Sequence, residues 1–479
     1  MYRKNCSVHS VCGTGRESAL RGLLLRRGFL FAVFIGLLSF GGAAAGTTWY
    51  VDSSVSVSGD GQSWETAFRT IEEGMEAASD GATIIVARGV YFENVRFGGR
   101  NVILRSTDPL DPEVVGATII DGGKAGPVVS FEGSEDETCV VSGFTIRNGD
   151  DSTSSGGGIC GAASASPVHT RAAIRNNTIT GNSARNGGGI ALCDGSIENN
   201  TISGNSATLH GGGLYQCGGT IANNRVTGNT AVQGSGGGMT YCHGTIRNVL
   251  LAGNSAGSCG GGIGLCEGAI ENDTVCANAA VLHGAGLYRC KGTIQGCIVW
   301  GNKLPYRELP VYDSSIPTYS CIEGWAEGGE GNRSDDPRFV DPDGPDDNSK
   351  TYEDNNYRLA GASPCIDAGS NAGWMTNAVD LDGDPRIAFG RSSLTVDMGA
   401  FEHYTCRFVQ VIGTLNGEGG ILIGTWASRS GKTYTVWSSP DLSAGEWTQE
   451  AVVASKGATT FWVDRSPLGR RKFYRVELQ

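Results

Sequence analysis

Residues 211–229, GGGLYQCGGTIANNRVTGN, contain one unit of a repeat that occupies the middle of this sequence. A glycine triplet opens the unit, and an apolar pair, a cysteine, a small-residue turn, an isoleucine, asparagines and a Gly-Asn pair follow. The unit recurs at spacings of 24 or 25 residues, a period typical of a solenoid of stacked coils. The triplets, of which the last has alanine at its centre, begin at Gly187, Gly211, Gly236, Gly260 and Gly284.

The segments between the turns are short and apolar, which predicts strands rather than helices. Leucine-rich repeats have a similar period but require a Leu-x-x-Leu-x-Leu pattern and a helical or convex segment, which are missing from this repeat. We therefore predict an all-β chain whose main part is a right-handed parallel β-helix. Less regular units at residues 141–149 and 174–181 extend the β-helix back toward residue 100.

Three residue types recur once per coil, and stacking of the coils would align each type as a ladder with about 4.8 Å between members. We expect the cysteines and isoleucines to point inward, and the asparagine amides to bond from coil to coil. Packing of small apolar side chains explains the cysteines, and a metal or redox site is the alternative. The ladders are Cys193, Cys217, Cys242, Cys266, Cys290; Ile197, Ile221, Ile246, Ile270, Ile294; and Asn182, Asn205, Asn229, Asn254, Asn278, Asn302.

Residues 1–45 have the features of a signal peptide: six basic residues with one acidic residue, an apolar run at residues 29–40, and three alanines at residues 43–45. A retained membrane anchor is the alternative, but a spanning helix needs about 20 apolar residues. We expect cleavage, and a mature protein that is secreted or held at the cell surface without a membrane span.

Removal of residues 1–45 leaves 31 basic and 48 acidic residues, a net charge of −17. Such a surface repels nucleic acids and anionic lipids, so we expect neither as a partner. Thirteen cysteines remain, in a compartment where disulfides persist. Because this number is odd, at least one thiol stays free or bonds to another molecule.

Residues 49–52 (WYVD), 59–71 (GDGQSWETAFRTI) and 80–94 (DGATIIVARGVYFEN) resemble the start of secreted pectate-lyase-like β-helix proteins. This resemblance implies an amphipathic helix, here at about residues 68–78, that caps the first coil.

Residues 317–402 resemble the closing segment of the choice-of-anchor Q type of these proteins. The two resemblances cover most of residues 47–402 and imply a β-helix over residues 46–402. Because the resemblance implies that both ends are capped, we expect a monomer. The matching motifs are residues 319–324 (YSCIEG), 336–341 (DPRFVD), 357–359 (YRL), 363–369 (SPCIDAG), 382–386 (DGDPR) and 397–402 (DMGAFE).

Residues 405–479 show alternating strands between turn residues and resemble the small β-sandwich that follows many secreted β-helices. The tryptophans of this module either stack against sugar rings or form its core, and the core is the interpretation we favour. They are Trp426, Trp437, Trp447 and Trp462.

In the class of β-helix proteins that this chain resembles, polysaccharide-active enzymes carry their catalytic groups on the outer face of adjacent coils. On three consecutive coils, the residues that follow the ladder cysteine are His243, Glu267 and Lys291. Their side chains would be close enough to each other for acid–base catalysis. The alternative is a solvated turn with mixed charges. Fragments of a polygalacturonase-like pattern at residues 150–151, 210–211 and 289–291 lie several coils apart, farther than the roughly 5 to 10 Å that paired carboxyl groups require.

Two further sites are candidates near the C-terminal end of the β-helix. Asp380, Asp382 and Asp384 are oxygen ligands suited to a structural Ca²⁺, the one cofactor considered, although residue 391 is Arg where an EF-hand loop has its bidentate Glu. Cys321 and Cys365 are candidates for one disulfide, with packing as free thiols as the alternative.

Two functions remain open. The first is a non-catalytic extracellular surface or carbohydrate-binding protein, and the second is a polysaccharide lyase or glycoside hydrolase that acts on the outer face of the β-helix. Coils of regular length with short Gly-Asn turns leave little loop to build a cleft. This regularity favours the first function.

Overall fold

A computed structural model describes residues 46–162, 168–306, 309–348, 352, 354–387, 394–403, 408–414, 421–427, 432–439, 448–455, 459–464 and 473–478. The predicted signal peptide lies outside these residues. Contacts within the chain separate Gly46–Thr405 from a second unit that includes Cys406–Gln479. None of the helices in the described ranges has the length and hydrophobicity needed to span a membrane.

The first unit is the predicted parallel β-helix. Among the described residues, each regular coil contributes one short strand to each of four sheets, and all strand pairs within these sheets are parallel. In the coil that starts at Ile197 the strands are Ile197–Glu198, Thr201–Ser203, Ser206–Ala207 and Leu214–Tyr215. Ile221–Ala222 then opens the next coil beside the first strand.

The strands of each sheet follow in chain order. Sheet one contains Thr48–Val51, Thr83–Val86, Ile103–Ser106, Val140–Ser142, Ala173–Arg175, Ile197–Glu198, Ile221–Ala222, Ile246–Arg247, Ile270–Glu271 and Ile294–Gln295. Sheet two contains Gly89–Phe92, Thr118–Asp121, Thr145–Arg147, Thr178–Thr180, Thr201–Ser203, Arg225–Thr227, Leu250–Ala252, Thr274–Cys276, Ile298–Trp300 and Cys321–Ile322. Sheet three contains Asp150–Ser155, Ser183–Asn186, Ser206–Ala207, Thr230–Ala231, Ser255–Ala256 and Ala279–Ala280. Sheet four contains Val95–Arg96, Val129–Ser130, Ile159–Cys160, Ile190–Ala191, Leu214–Tyr215, Met239–Thr240, Ile263–Gly264, Leu287–Tyr288 and Val311–Tyr312.

The corners of a coil explain the abundance of glycine and asparagine. In the coil that starts at Ile197, single residues with positive φ follow each strand: Asn199 (57°), Gly204 (61°), Gly211 (65°) and Gln216 (50°). Glycine adopts this left-handed conformation without strain, and asparagine tolerates it better than other residues. Glycine or asparagine therefore occupies three of the four left-handed corners of this coil, and Gln216 occupies the fourth.

In the first four triplets, close packing between coils leaves no room for a side chain at the second and third glycines. A Cβ atom at Gly188 would lie 2.4 Å from the carbonyl oxygen of Ser206, and one at Gly213 would lie 2.5 Å from that of Gly238. Side chains do not fit where backbones approach so closely. The triplets thus mark the point at which successive coils touch through their main chains.

The core is a column of apolar side chains inside the coils. The predicted isoleucine ladder is at most 1% exposed at every position, and apolar residues of sheets two and four complete the interior. Full burial of one such side chain contributes about 1.5–3 kcal/mol. The core is therefore continuous along the coils and does not depend on one central cluster.

Helices occupy few of the described residues. The helix expected at about residues 68–78 lies at Ile71–Ala77, where Thr70 and Glu73 form a capping box and the Glu93 carboxylate accepts the N–H groups of Ile71 and Glu72. A second helix, Pro112–Ala117, was not predicted, and it starts with Pro at its first turn after the N-cap Asp111.

After the last coil in the chain, the described residues between 335 and 403 form what we call the end cap. It contains the antiparallel pair Phe339–Asp341 and Asn356–Leu359 and the short 3₁₀ helix Gly373–Met375. The end cap lies against sheet two, where Ala400 N donates to Thr274 Oγ1 (2.9 Å) and Gly399 N donates to Gly296 O (2.7 Å).

The second unit consists, in its described ranges, of two three-stranded antiparallel sheets. Phe408–Thr414, Ile421–Ala427 and Thr459–Asp464 form one sheet, and Thr433–Ser439, Thr448–Ala454 and Phe473–Leu478 form the other. The rings of Trp426 and Tyr434, one from each sheet, lie 5.9 Å apart.

Candidate functional site

The three residues suggested for catalysis lie side by side on the surface. His243, Glu267 and Lys291 directly follow the buried ladder cysteines and are all exposed. The flanking strands are in register from coil to coil on both sides. Neighbouring members of the column are therefore separated by about 4.8 Å along the solenoid axis.

The charges around this column are paired at one end. Lys291 Nζ lies 2.7 Å from Asp313 Oδ1, and Arg289 Nε lies 3.1 Å from Asp313 Oδ2. The hydrogen bond from Lys291 lowers the pKa of the Asp313 carboxyl. All three side chains are about half exposed, so water reaches them freely. An open surface of this kind lacks the exclusion of water that strengthens electrostatic catalysis.

Aromatic side chains lie next to this column on the outside of sheet four. Tyr215, Tyr288 and Tyr312 occupy one outward-facing column of that sheet, with Thr240 and Gly264 on the coils between. Tyr241 follows Thr240 at a left-handed corner. The aromatic face, as we call it, comprises His210, Tyr215, Tyr241, His283, Tyr288 and Tyr312, all half-buried.

The rings of the aromatic face form two groups. In one, the rings of His283 and Tyr312 stack at 4.3 Å, and those of Tyr288 and Tyr312 stack at 5.9 Å with 15° between their planes. The guanidinium of Arg289 lies 5.2 Å from the centre of the Tyr288 ring. These distances are typical of aromatic pairs and of cation–π contacts.

The second group comprises His210, Tyr215 and Tyr241. Tyr215 and Tyr241 meet edge to face at 5.9 Å, and His210 stacks beside Tyr215 at 6.5 Å. Nδ1 of His210 accepts the backbone N–H of Ser235, and burial lowers the pKa of this imidazole. His210 is therefore uncharged at neutral pH and presents a flat, neutral imidazole ring beside Tyr215.

Sequence reasoning did not single out the aromatic face. The signal was present, because Leu214-Tyr215 and Leu287-Tyr288 follow glycine triplets at the same position of the repeat. In a strand, the residue after an inward Leu points outward. Tyr312 lies outside the repeat pattern and joins this column only through the pairing of Val311–Tyr312 with Leu287–Tyr288.

The ladder cysteines line the interior as free thiols. All are fully buried, and each thiol points to the carbonyl two residues earlier, as Cys193 Sγ does to Ala191 O at 3.3 Å. Burial raises the pKa of the Cys193 and Cys217 thiols well above the ordinary value and that of Cys290 to about 11. Such thiols remain protonated at neutral pH, whereas metal ligation uses the thiolate.

The asparagine ladder is a continuous hydrogen-bonded column. Asn205 Nδ2 donates to Asn229 Oδ1 at 3.0 Å and to Ile179 O at 2.9 Å, while the backbone N–H of Asn205 also donates to Asn229 Oδ1. The pattern repeats from Asn182 to Asn302. A second, shorter ladder was not predicted and consists of Asn177, Asn200 and Asn224.

In the end cap, Asp380 and Asp382, two of the three carboxylates considered for calcium binding, have different partners. Asp380 Oδ1 accepts the N–H groups of Asp382 and Asp384, and its Oδ2 accepts that of Glu402. Asp382 instead forms ion pairs with Arg358 and Arg225. In the described part of the chain, no group of three or more His, Cys, Asp or Glu side chains is arranged to hold a metal. The three carboxylates therefore do not converge as the predicted site requires.

A buried ion pair that sequence reasoning missed lies beside this loop. Arg386 Nη2 lies 3.1 Å from Glu402 Oε1, and both side chains are almost fully buried. Burial raises the pKa of Asp380 to about 6 and that of Asp397 to about 7, and it raises the pKa of Glu402 well above its ordinary value. This cluster of acids around one guanidinium links residues 380–386 of the end cap to residues 397–402.

The tryptophans of the second unit differ in exposure. Trp426 is fully buried, Trp437 and Trp462 are half-buried, and Trp447 lies outside the described residues. The Trp462 ring lies 5.4 Å from that of Tyr474. In this unit Phe461 is the aromatic residue with the largest described exposure, at 64%.

Comparison with known proteins gives no family for the chain. No protein-family model matches the sequence, and no curated protein matches it. A solved structure titled "The complex structure of XylC with xylose" matches with 11% sequence identity and a TM-score of 0.33, and the alignment covers 87% of this chain and 100% of that one. Similarity at this level assigns no function to the chain.

Proposed function

We propose that the protein binds carbohydrate outside the cell through the aromatic face, without cleaving it. The observation that carries this proposal is the column of Tyr215, Tyr288 and Tyr312 on the outside of sheet four, with His210 and His283 beside it. Ring faces of tyrosine offer the apolar surface on which a sugar ring stacks, and their hydroxyl groups offer hydrogen bonds at the edge.

Polar groups at the border of the aromatic face support the proposal. Arg289, Lys291 and Asp313 are about half exposed and lie one corner away from the tyrosines. Guanidinium and ammonium groups donate hydrogen bonds, and a carboxylate accepts them. A row of half-buried aromatic rings with such groups at its border suits a ligand whose rings have apolar faces and hydroxyl-bearing rims.

The finer assignment rests on the sequence. We infer that the solenoid is right-handed, since parallel crossover connections are right-handed in nearly all proteins. The chain resembles secreted pectate-lyase-like β-helix proteins of the choice-of-anchor Q type, with a signal peptide at residues 1–45 and a small β-sandwich at residues 405–479. This assignment places the aromatic face on an exported, monomeric protein.

The alternative is a polysaccharide lyase or glycoside hydrolase with its site at His243, Glu267 and Lys291. The proximity of these side chains on consecutive coils favours it. Their exposure to solvent opposes it, because a small-molecule site usually encloses most of its ligand in a cleft.

The test uses residues 46–479 in affinity electrophoresis through gels that contain acidic or neutral polysaccharides, with and without Ca²⁺. We expect retardation by at least one polysaccharide, and its loss in the double variant Tyr288→Ala, Tyr312→Ala. Phe92→Ala is the matched control, because Phe92 is 76% exposed elsewhere on the β-helix. Retardation that survives the double variant, or no retardation by any polysaccharide, contradicts the proposal.

The same polysaccharides, assayed for new reducing ends and for unsaturated products, separate the two functions. Binding without product supports the binding protein. Product formation that disappears in His243→Ala or Glu267→Ala would establish the enzyme instead.

A further inference from the structure

Two buried cysteines lie where the last coil meets the end cap. Cys321 belongs to Cys321–Ile322, the final strand of sheet two, and pairs with Ile298 of the preceding coil. Cys365 belongs to the end cap, where its carbonyl accepts the N–H of Met398 at 3.1 Å and its own N–H donates to Ser363 Oγ at 3.1 Å. Both residues are 0% exposed.

The side chains of the two cysteines touch inside one apolar cluster. Ile298, Leu359, Ile366 and Met398 belong to the same cluster. The thiols of Cys321 and Cys365 are within hydrogen-bonding reach of each other, and Cys321 Sγ also donates to Asp335 O at 3.1 Å. Backbone hydrogen bonds hold each cysteine in place, so the two sulfur atoms stay neighbours while the end cap is docked.

We propose that Cys321 and Cys365 are oxidised to a disulfide that fastens the end cap covalently to the last coil. In the structure, both cysteines are free thiols. The bond would join the coils to the end cap, which is otherwise held by contacts such as Gly399 N to Gly296 O and Asn272 Nδ2 to Asp397 O. Such a cross-link stabilises chiefly by restricting the unfolded chain between residues 321 and 365.

The chemistry requires a disulfide oxidant, for which oxidised glutathione serves. One cysteine loses its proton, and the thiolate attacks a glutathione sulfur and releases one reduced glutathione. The second cysteine then attacks the protein sulfur of this mixed disulfide and releases the second. The two thiols thus give up two protons and two electrons, and one oxidised glutathione becomes two reduced ones.

Burial makes this reaction depend on movement of the end cap. The neighbouring Cys365 thiol and then the apolar surroundings raise the pKa of Cys321, and glutathione does not reach a fully buried sulfur. Attack therefore needs transient undocking of the end cap, and the reaction should accelerate with pH and with low concentrations of urea. After the cross-link forms, redocking buries it and protects it from reduction.

The ladder cysteines are the internal comparison. They are also buried neighbours, but each lies within coils that the parallel sheets already hold together. Exposing their sulfur atoms requires unfolding of the β-helix itself. Low concentrations of oxidant under native conditions should therefore oxidise the pair at residues 321 and 365 and leave the ladder reduced.

The experiment incubates reduced residues 46–479 with oxidised glutathione, then blocks the remaining thiols and maps peptides without reduction. We expect a peptide pair joined through Cys321 and Cys365, with the ladder thiols alkylated, and a rise of several degrees in the melting temperature that a reductant reverses. Cross-links confined to ladder peptides, or alkylation of both Cys321 and Cys365 after oxidation, would overturn the proposal.

Variants test the same point independently of peptide mapping. Cys365→Ala should abolish the oxidation-dependent shift in melting temperature, whereas the ladder variant Cys266→Ala should keep it. The wild-type mapping remains decisive if a variant fails to fold. None of these measurements involves carbohydrate, so their outcome is separate from that of the proposed function.

Discussion

The backbone N–H of Val249 donates to Oδ1 of Asp273 at 2.7 Å. At the equivalent position of an earlier coil, the N–H of Asn200 donates to Oδ1 of Asn224. In the asparagine, the second terminal atom is an N–H₂ that donates to a carbonyl, as Asn224 Nδ2 does to Ile197 O. Asp273 Oδ2 is buried without a partner. Burial raises the pKa of Asp273 well above its ordinary value, so the neutral acid replaces the amide in this ladder.

Asp273→Asn should therefore stabilise the protein at pH 7 by about 1–3 kcal/mol, the cost of an unsatisfied buried group. A carboxyl whose pKa is raised on folding carries no penalty below its unfolded pKa of about 3.9, and the penalty grows as the pH rises above that value. Urea unfolding at pH 4 and pH 7 measures the difference. The reverse change, Asn224→Asp, should destabilise at pH 7, and an equal gain for Asp273→Asn at both pH values would show that Asp273 does not titrate.

Docking of the end cap should weaken as the pH rises from about 4 to about 7. Burial raises the pKa of Asp380 to about 6 and that of Asp397 to about 7, and it raises the pKa of Glu402 well above its ordinary value. Each must lose its proton near Arg386 and close to the other carboxyls, so folding stability is greatest below the unfolded pKa of about 4 and falls through this window. Urea midpoints measured across this range test the direction.

Asp397→Asn is the matched variant for this pH dependence, because it keeps the shape of the side chain and removes one titration. The decline should become shallower near pH 7. A pH profile identical to that of the wild type would contradict the assignment of this carboxyl.

Gly181→Ala should cost about 1–2 kcal/mol, because Gly181 has a φ of 65° and an L-residue is strained there. The site isolates backbone strain from packing, since a Cβ at Gly181 would meet nothing within 4 Å. Gly181→Asn should cost less, because asparagine tolerates the left-handed conformation. Thermal unfolding of the two variants provides the comparison, and equal losses would show that strain is not the cause.

Asn229→Ala should be more damaging than Asn302→Ala. Asn229 Oδ1 receives the N–H and Nδ2 of buried Asn205, and Asn229 Nδ2 satisfies Ile202 O. Each buried group left without a partner costs about 1–3 kcal/mol. Asn302 ends the ladder and is partly exposed, so water can replace its bonds. Chemical denaturation of both variants compares the losses, and similar values would argue against cooperation within the ladder.

The parallel β-helix could be predicted from the sequence because its stabilising residues recur at a fixed period. Within each coil, the positions of Gly188, Asn205 and Ile197 are those where backbones touch, side-chain amides bond and apolar side chains pack. Because these positions repeat, the pattern is visible in the sequence. The end cap does not repeat. Its buried pair Arg386–Glu402 and the hydrogen bond from the Glu402 N–H to Asp380 Oδ2 link separate segments of the chain, which no local pattern encodes.

The same distinction applies to function. The sequence by itself determined the coil, its period and the residues that form the ladders, because a 24-residue repeat leaves few ways to bury an apolar residue in every turn. Only the tertiary structure decided that Tyr312 joins the outward column of Tyr215 and Tyr288, and it brought together Cys321 and Cys365, a pairing that the sequence left open. Ring stacking and burial depend on which side chains are close in space. Where the chain does not repeat, the positions of those residues in the sequence do not determine which side chains are neighbours.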